Sequence, residues 1–145
     1  MIDYAVLCIE NQAEGLAALR ELLPSADYHE VALEIVPDDN PNIRRVLRTM
    51  VETKAVPLVL TIGGSFIGIR ERMPEITREV IERELPGLAE LMRLAGVQKS
   101  RRAALWRGVA GWKNKTLVIN LPAQDTKTAL EAILPVLPLA VSSIG

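Results

Sequence analysis

Val56-Pro-Leu-Val-Leu-Thr-Ile-Gly-Gly-Ser-Phe-Ile-Gly-Ile-Arg-Glu-Arg-Met-Pro-Glu75 is the stretch whose reading decides the fold. An apolar run, Leu58 to Ile62, empties into a Gly63-Gly64-Ser65 turn; a loop then crosses Gly68, Arg70 and Glu71 before Pro74 opens a helix. The order is strand, loop, helix. Loops at the carboxyl ends of strands are where open α/β sheets bind ligands, and a glycine pair lets the backbone approach an anion closely. Any site in this chain is expected here.

The segments before this stretch supply the rest of a sheet. Ile2 to Ile9 is nearly continuous apolar sequence, the pattern of a strand buried on both faces. Asn11 stands three residues before Glu14 as a capping pair, and Leu16, Leu19, Leu22 and Leu23 recur at helical spacing until Pro24. From Tyr28, Val31, Leu33 and Ile35 alternate with Glu30, Ala32 and Glu34, which predicts a strand with one polar face near a sheet edge. Asn40 followed by Pro41 starts a helix, with Ile43, Val46, Leu47, Met50 and Val51 as its apolar stripe and an end near Lys54. Three strands alternating with two helices by residue 62 predict βαβ units in one α/β domain spanning residues 1–145: a mainly parallel central sheet with helices on both faces.

Beyond the central stretch, Pro74 and Glu75 begin a helix with Ile76, Val80 and Ile81 inward. Pro86-Gly87 is read as its break, followed by a short helix through Leu88, Leu91, Met92 and Ala95 that ends at Gly96. Residues 97–104 read as a basic surface connection. Leu105 to Trp112 and Thr116 to Leu121 read as a hairpin around Asn114, and a last helix is punctuated by Pro135 and Pro138.

Composition excludes several classes. With 17 basic and 18 acidic residues and a net charge of −1, no basic face calls for nucleic acid. The 49% hydrophobic share and mean hydropathy of +0.19 leave an apolar surplus that a homo-oligomer would cover. Cys8 is the only cysteine, which rules out an intrachain disulfide and a thiolate metal cage and reads as a buried small hydrophobe. No secretory leader is visible, and no apolar run approaches the roughly 18 residues of a membrane span. The expectation is a cytoplasmic protein with no membrane or nucleic-acid partner.

Three loops leave the carboxyl ends of the inferred strands: Pro37 to Asn40, Gly63 to Arg72, and Pro122 to Asp125. A parallel sheet brings these ends to one edge, so Asp38, Glu71 and the Gly63-Gly64-Ser65 amides are placed to converge. Two carboxylates facing a glycine cradle suit a magnesium-bound phosphate, and phosphoryl or nucleotidyl transfer is the chemistry served. The loop is neither a Walker motif nor the dinucleotide fingerprint. Plainer readings stand beside these: Asp38-Asp39 as carboxylates at the positive end of a helix, Gly63-Gly64-Ser65 as a tight turn, Arg70 and Arg72 as ion-pair partners, His29 as a lone surface histidine, and Trp106 and Trp112 as packing for a strand pair or a subunit interface.

The order and spacing of these segments resemble the molybdopterin-binding domain family of molybdenum-cofactor biosynthesis. Val36-Pro37-Asp38-Asp39 resembles its acidic loop, Leu60-Thr61-Ile62-Gly63-Gly64-Ser65 its Thr-Thr-Gly-Gly-Thr-Gly loop, and Arg70-Glu71 with Pro74-Glu75 its Arg-Asp and Pro-Glu. Leu85-Pro86-Gly87-Leu88 with Met92-Arg93, Arg107 to Gly111, and Thr116 to Pro122 resemble its Pro-Gly and Met-Arg helix and its closing hairpin with an Asn-Leu-Pro-Gly turn. The resemblance implies a three-layer α/β fold, a homotrimer or hexamer, and transfer of AMP from magnesium ATP to the phosphate of molybdopterin. It implies catalytic and metal-holding roles for Asp38 and Glu71, and substrate or phosphate contacts for Gly63, Gly64, Ser65, Arg70, Asn120 and Pro122.

The departures gather at this site. Phe66 stands at the loop's third glycine, Glu71 at an aspartate, Met73 at a threonine, Trp106 at the serine of a Leu-Ser-Arg segment, and Ala123 at the glycine after Pro122. A second reading is therefore a non-catalytic member that binds a pterin or another anion or serves as a protein-interaction module; a third is another nucleotide-linked hydrolase on the same domain. Filling of the site by Phe66 and Trp106 is what the second reading expects.

Overall fold

The computed structural model describes residues 1–145. Its elements run β1 (Ile2–Ile9), α1 (Ala13–Leu22), β2 (Tyr28–Val36), α2 (Asn40–Arg48), β3 (Leu58–Ile62), α3 (Met73–Val80), β4 (Arg83–Glu84), α4 (Pro86–Lys99), β5 (Ala110–Lys113), β6 (Thr116–Leu121), α5 (Thr126–Ile133) and α6 (Leu137–Ile144). One six-stranded sheet has the order β2-β1-β3-β6-β5-β4. β2, β1, β3 and β6 are parallel; β5 and β4 add an antiparallel edge.

Three layers follow from strand alternation. Leu58, Leu60 and Ile62 of β3 and Leu117, Ile119 and Leu121 of β6 face a core shared with α1, α4, α5 and α6. Val59 and Val118 face the opposite core, closed by Ile43, Val46 and Leu47 of α2 and by Met73, Ile76 and Val80 of α3. Each such buried side chain contributes roughly 1.5–3 kcal/mol. The mainly parallel sheet covered on both faces is the architecture that the apolar runs predict.

Register positions the site. Cys8 of β1 pairs with Ile62 of β3, and Ile62 with Leu121 of β6, so three strands end side by side. Cys8 is buried within this sheet and burial pushes its thiol up, consistent with a small hydrophobe.

Several local expectations are corrected. Asn11 adopts a left-handed conformation at φ +68 rather than capping α1, whose N-cap position is Gln12 without a side-chain cap. Asp39, not Asn40, occupies the N-cap position of α2; the helix runs on into a π turn at Thr49–Thr53. Pro86 sits in the first turn of α4, where its missing N–H costs nothing, and thus opens a helix instead of merely breaking one. Gly96 lies inside α4, because a Cβ there would meet the Cβ of Ala103 at 2.8 Å; it is a close-packing glycine, not a helix end. β4 is too short to leave a periodic signal. Leu105 belongs to a 3-10 turn, Arg101–Leu105, so β5 begins only at Ala110. The last helix is two, α5 and α6, bent by 63°. No single helix is long and apolar enough to cross a membrane. In β2, a register shift opposite Tyr4 and Ala5 makes Val31 an extra residue, and Val31 and Ile35 are exposed rather than facing a core.

Candidate functional site

The backbone at the end of β3 is built for close approach. Gly63 and Gly64 have φ of +92 and +73, where a Cβ is strained, and a Cβ on Gly63 would press on the Ile9 side chain at 3.2 Å. Gly64 and Ser65 are buried, yet their amides donate to no group of the chain. N–H groups in such surroundings are paired as a rule, so these two are free to donate to an acceptor from outside the chain. Gly64 and Ser65 line a cavity of about 300 Å³, which also takes in Gln12, Phe66, Glu71, Trp106, Pro122 and Asp125. Gln12 and Asp125 immediately precede α1 and α5, whose positive ends therefore adjoin the same space.

The wall opposite the glycines is Trp106, only 5% exposed. Its indole Nε1–H donates to Ser65 Oγ at 2.8 Å. Arg93 lies over the indole at 4.9 Å from the ring centre and donates to the Trp106 carbonyl at 3.0 Å and to the Gly108 carbonyl at 3.3 Å. Burial pulls the Arg93 guanidinium below its ordinary pKa. At the rim, Arg102 lies over the Phe66 ring, again at 4.9 Å. Phe66 and Trp106 are walls of the cavity rather than its filling.

The loop after Phe66 is tied down by charge. Glu71 Oε1 accepts from the Phe66 amide at 3.0 Å, closing the loop on itself. Arg107 donates from its amide to the Ser65 carbonyl at 2.7 Å, from Nη2 to the Glu71 carbonyl at 2.8 Å, and from both terminal nitrogens to the Glu75 carboxylate. One residue thus joins the glycine turn, the Glu71 loop and the first turn of α3.

The predicted site residues fall into four places. Gly64, Ser65, Glu71 and Pro122 line the cavity. Asp38 and Arg70 line a second, more open hollow with Asn40, Pro41, Ile69 and Arg72, so the two carboxylates, Asp38 and Glu71, line different hollows. Nowhere do three His, Cys, Asp or Glu side chains gather in metal-binding geometry. Gly63 shapes the turn from below. Asn120 is fully buried: its Oδ1 accepts from the Val109 amide, and its Nδ2 donates to Thr61 Oγ1 and Thr77 Oγ1, each at 3.0 Å. The structure does not bring Asn120 to the cavity; it clamps β6 to β3, α3 and the segment entering β5. Trp106, Arg93, Arg102 and Arg107 carry the site's architecture, and only the tertiary fold shows it, because their partners lie 13 to 41 residues away in the cases of Arg93, Arg107 and Trp106. His29 is exposed on β2, 3.4 Å from Asp3, and Trp112 is half-buried on β5, away from the cavity.

Residues 10–139 match a family described as a probable molybdopterin binding domain. The chain is 37% identical over 125 residues to a molybdopterin adenylyltransferase of Helicobacter pylori J99, covering 85% of this chain and 69% of that protein. It is 34% identical over 126 residues to a molybdopterin adenylyltransferase of Escherichia coli K12, covering 84% and 65%. The chain therefore spans about two thirds of the length of these relatives. Among solved structures, the molybdopterin biosynthesis enzyme MoaB of Thermus thermophilus superposes with a TM-score of 0.91 at 42% identity over 99% of this chain and 96% of that one. The molybdopterin biosynthesis Mog protein of Mycobacterium ulcerans superposes with a TM-score of 0.90 at 28% identity over the whole of both chains.

Proposed function

The chain belongs to the molybdopterin-binding domain family, and from that premise we propose that it is a molybdopterin adenylyltransferase of molybdenum-cofactor biosynthesis. In this reaction an oxygen of the molybdopterin phosphate bonds to the α-phosphorus of ATP, the bond from that phosphorus to the bridging oxygen breaks, and pyrophosphate leaves. The observation that carries the reading is the pair of buried, unpartnered amides of Gly64 and Ser65 on the wall of the cavity. They donate and accept nothing in return, which favours an anion, and the adjoining positive ends of α1 and α5 favour the same charge.

Roles for this chain's residues follow from their positions. The cavity receives the pterin and its phosphate: Gly64 and Ser65 hold phosphate oxygens, and Pro122 and Phe66 supply apolar contact. The nucleotide approaches from the second hollow, where Arg70 pairs with its phosphates. Asp38, the carboxylate of that second hollow, would hold the magnesium ion of the nucleotide, since magnesium needs only one or two carboxylates when phosphates complete its shell; Glu71 lies in the other cavity, where one of its oxygens accepts from the Phe66 amide. Bound there, the ion would neutralise charge that develops on the triphosphate. An open cavity beside Phe66 and Trp106 supports a ligand-binding site over a pure protein-interaction module, in which those side chains would fill it.

A homotrimer or hexamer in the cytoplasm completes the proposal. Ile69 at 96% exposed and Leu139 at 68%, with Leu94 and Ile35, are apolar surface that subunit contacts would cover. The test is pyrophosphate release from ATP on adding molybdopterin, with Asp38→Asn as the control; turnover unchanged in that variant removes Asp38 from the mechanism.

A further inference from the structure

Trp106 faces Ser65 with a group that can only donate. An indole N–H has no acceptor capacity, so at 2.8 Å the Ser65 oxygen is the acceptor. A hydroxyl has one proton, and no group of the chain accepts that of Ser65. A serine free of such a partner serves equally as donor or acceptor. Here the indole takes one of the oxygen's two lone pairs, which biases the hydroxyl toward donating, and its proton is left for whatever occupies the cavity that Ser65 lines.

The indole is held so that this direction is fixed. Arg93 lies over the ring and binds the carbonyls of Trp106 and Gly108. Gly108 leaves room where any Cβ would overlap the ring carbon Cζ2. Arg93 holds the indole, and Gly108 makes room for it, in the position that serves Ser65. A guanidinium over the ring also withdraws electron density from it, which strengthens the N–H as a donor.

We propose that Trp106 is a positioning residue that fixes the Ser65 hydroxyl as a third donor, beside the Gly64 and Ser65 amides, and thereby makes the cavity selective for a phosphate oxyanion. This rests on the phosphate-cradle reading above and extends it to a residue that does not touch the ligand. It also gives the bulky residue at this position a use within the site.

The experiment is a double-variant cycle with inorganic phosphate as the probe, followed by NMR titration and with thermal melting as the check on folding. Trp106→Phe and Ser65→Ala each weaken phosphate binding about tenfold, the scale of one hydrogen bond to a charged group. The double variant binds no more weakly than Ser65→Ala alone, since Trp106 acts only through that hydroxyl. A Trp106→Phe loss that persists undiminished in the Ser65→Ala background, or no loss at all, overturns the assignment. The unmutated chain gives an independent reading if a variant misfolds. On phosphate addition the Trp106 indole N–H resonance shifts while that of Trp112, outside the cavity, stays in place. Phosphate binding with a stationary Trp106 signal overturns the assignment as well. A parent chain that binds no phosphate at tens of millimolar removes the cradle, and this assignment with it.

Discussion

Arg107 grips Glu75 through both terminal guanidinium nitrogens, at 2.7 and 2.9 Å, while one of them also reaches the Glu71 carbonyl at 2.8 Å. A bidentate pair with an added backbone bond holds its geometry better than a single surface contact. Its worth is discounted because both side chains are about a third exposed. Arg107→Lys, which keeps the charge and loses the fork, should cost roughly 1 kcal/mol of stability. The larger effect is expected on the Gly68–Arg72 loop, as faster amide exchange at Phe66 and Glu71.

Asn120 uses its whole amide. Asn120→Leu would strand the Val109 amide and remove the shared partner of Thr61 and Thr77, all of them buried. Unsatisfied buried groups cost about 1–3 kcal/mol each, so a loss of roughly 2–4 kcal/mol is expected in urea unfolding. Ligand affinity of the fraction that remains folded should hardly change. An Asn120 variant of native stability that had lost affinity would instead place the residue at the ligand.

Gly108→Ala tests how firmly the indole of Trp106 is seated. The added carbon would overlap the ring carbon Cζ2, and nearby Arg93 leaves the ring little room to retreat. Overpacking of this kind costs about 1–3 kcal/mol or more. Urea unfolding followed by Trp fluorescence checks it; a midpoint within error of the parent would mean that the indole moves freely.

The edge of β2 carries a pH dependence. Tyr4 Oη donates to Glu30 Oε1 at 3.3 Å, and Arg20 pairs with the same carboxylate at 2.7 Å. Burial, with the Glu30 charge adding to it, pushes the Tyr4 phenol from 10.0 up to about 12. The native state therefore keeps that proton longer than the unfolded chain does, so its contribution is complete below about pH 10 and is lost as pH rises through about 12. Glu30 is shifted the opposite way: the Arg20 hydrogen bond holds its carboxyl below the ordinary 4.5, so its contribution is present above that value and is lost as pH falls. Tyr4→Phe should flatten stability between pH 10 and 12. Urea midpoints across that range would show it.

Much of this was legible in the chain. The runs Ile2 to Ile9 and Leu58 to Ile62 are strands with those bounds, because a strand buried on both faces leaves an unbroken apolar signal. The stripe from Ile43 to Val51 is buried throughout for the matching reason in a helix. Gly63-Gly64 marks the cavity because positive φ has a residue preference. Proline and glycine misled where their role depends on what packs nearby: Pro86 opens a helix, and Gly96 lets Ala103 approach. Asn120 carries no local mark that separates a clamp from a ligand contact, and Trp106 none that separates a plug from a wall. Those distinctions lie in partners as far as 59 residues away.

Pyrophosphate release tests the central claim most directly. With ATP, magnesium and molybdopterin present, the chain should release one pyrophosphate for each adenylylated molybdopterin formed, and Gly64→Val, which forces a Cβ where φ is +73 beside Met73, should abolish release. No release above the rate without protein, from a folded chain that binds both substrates, would contradict the account.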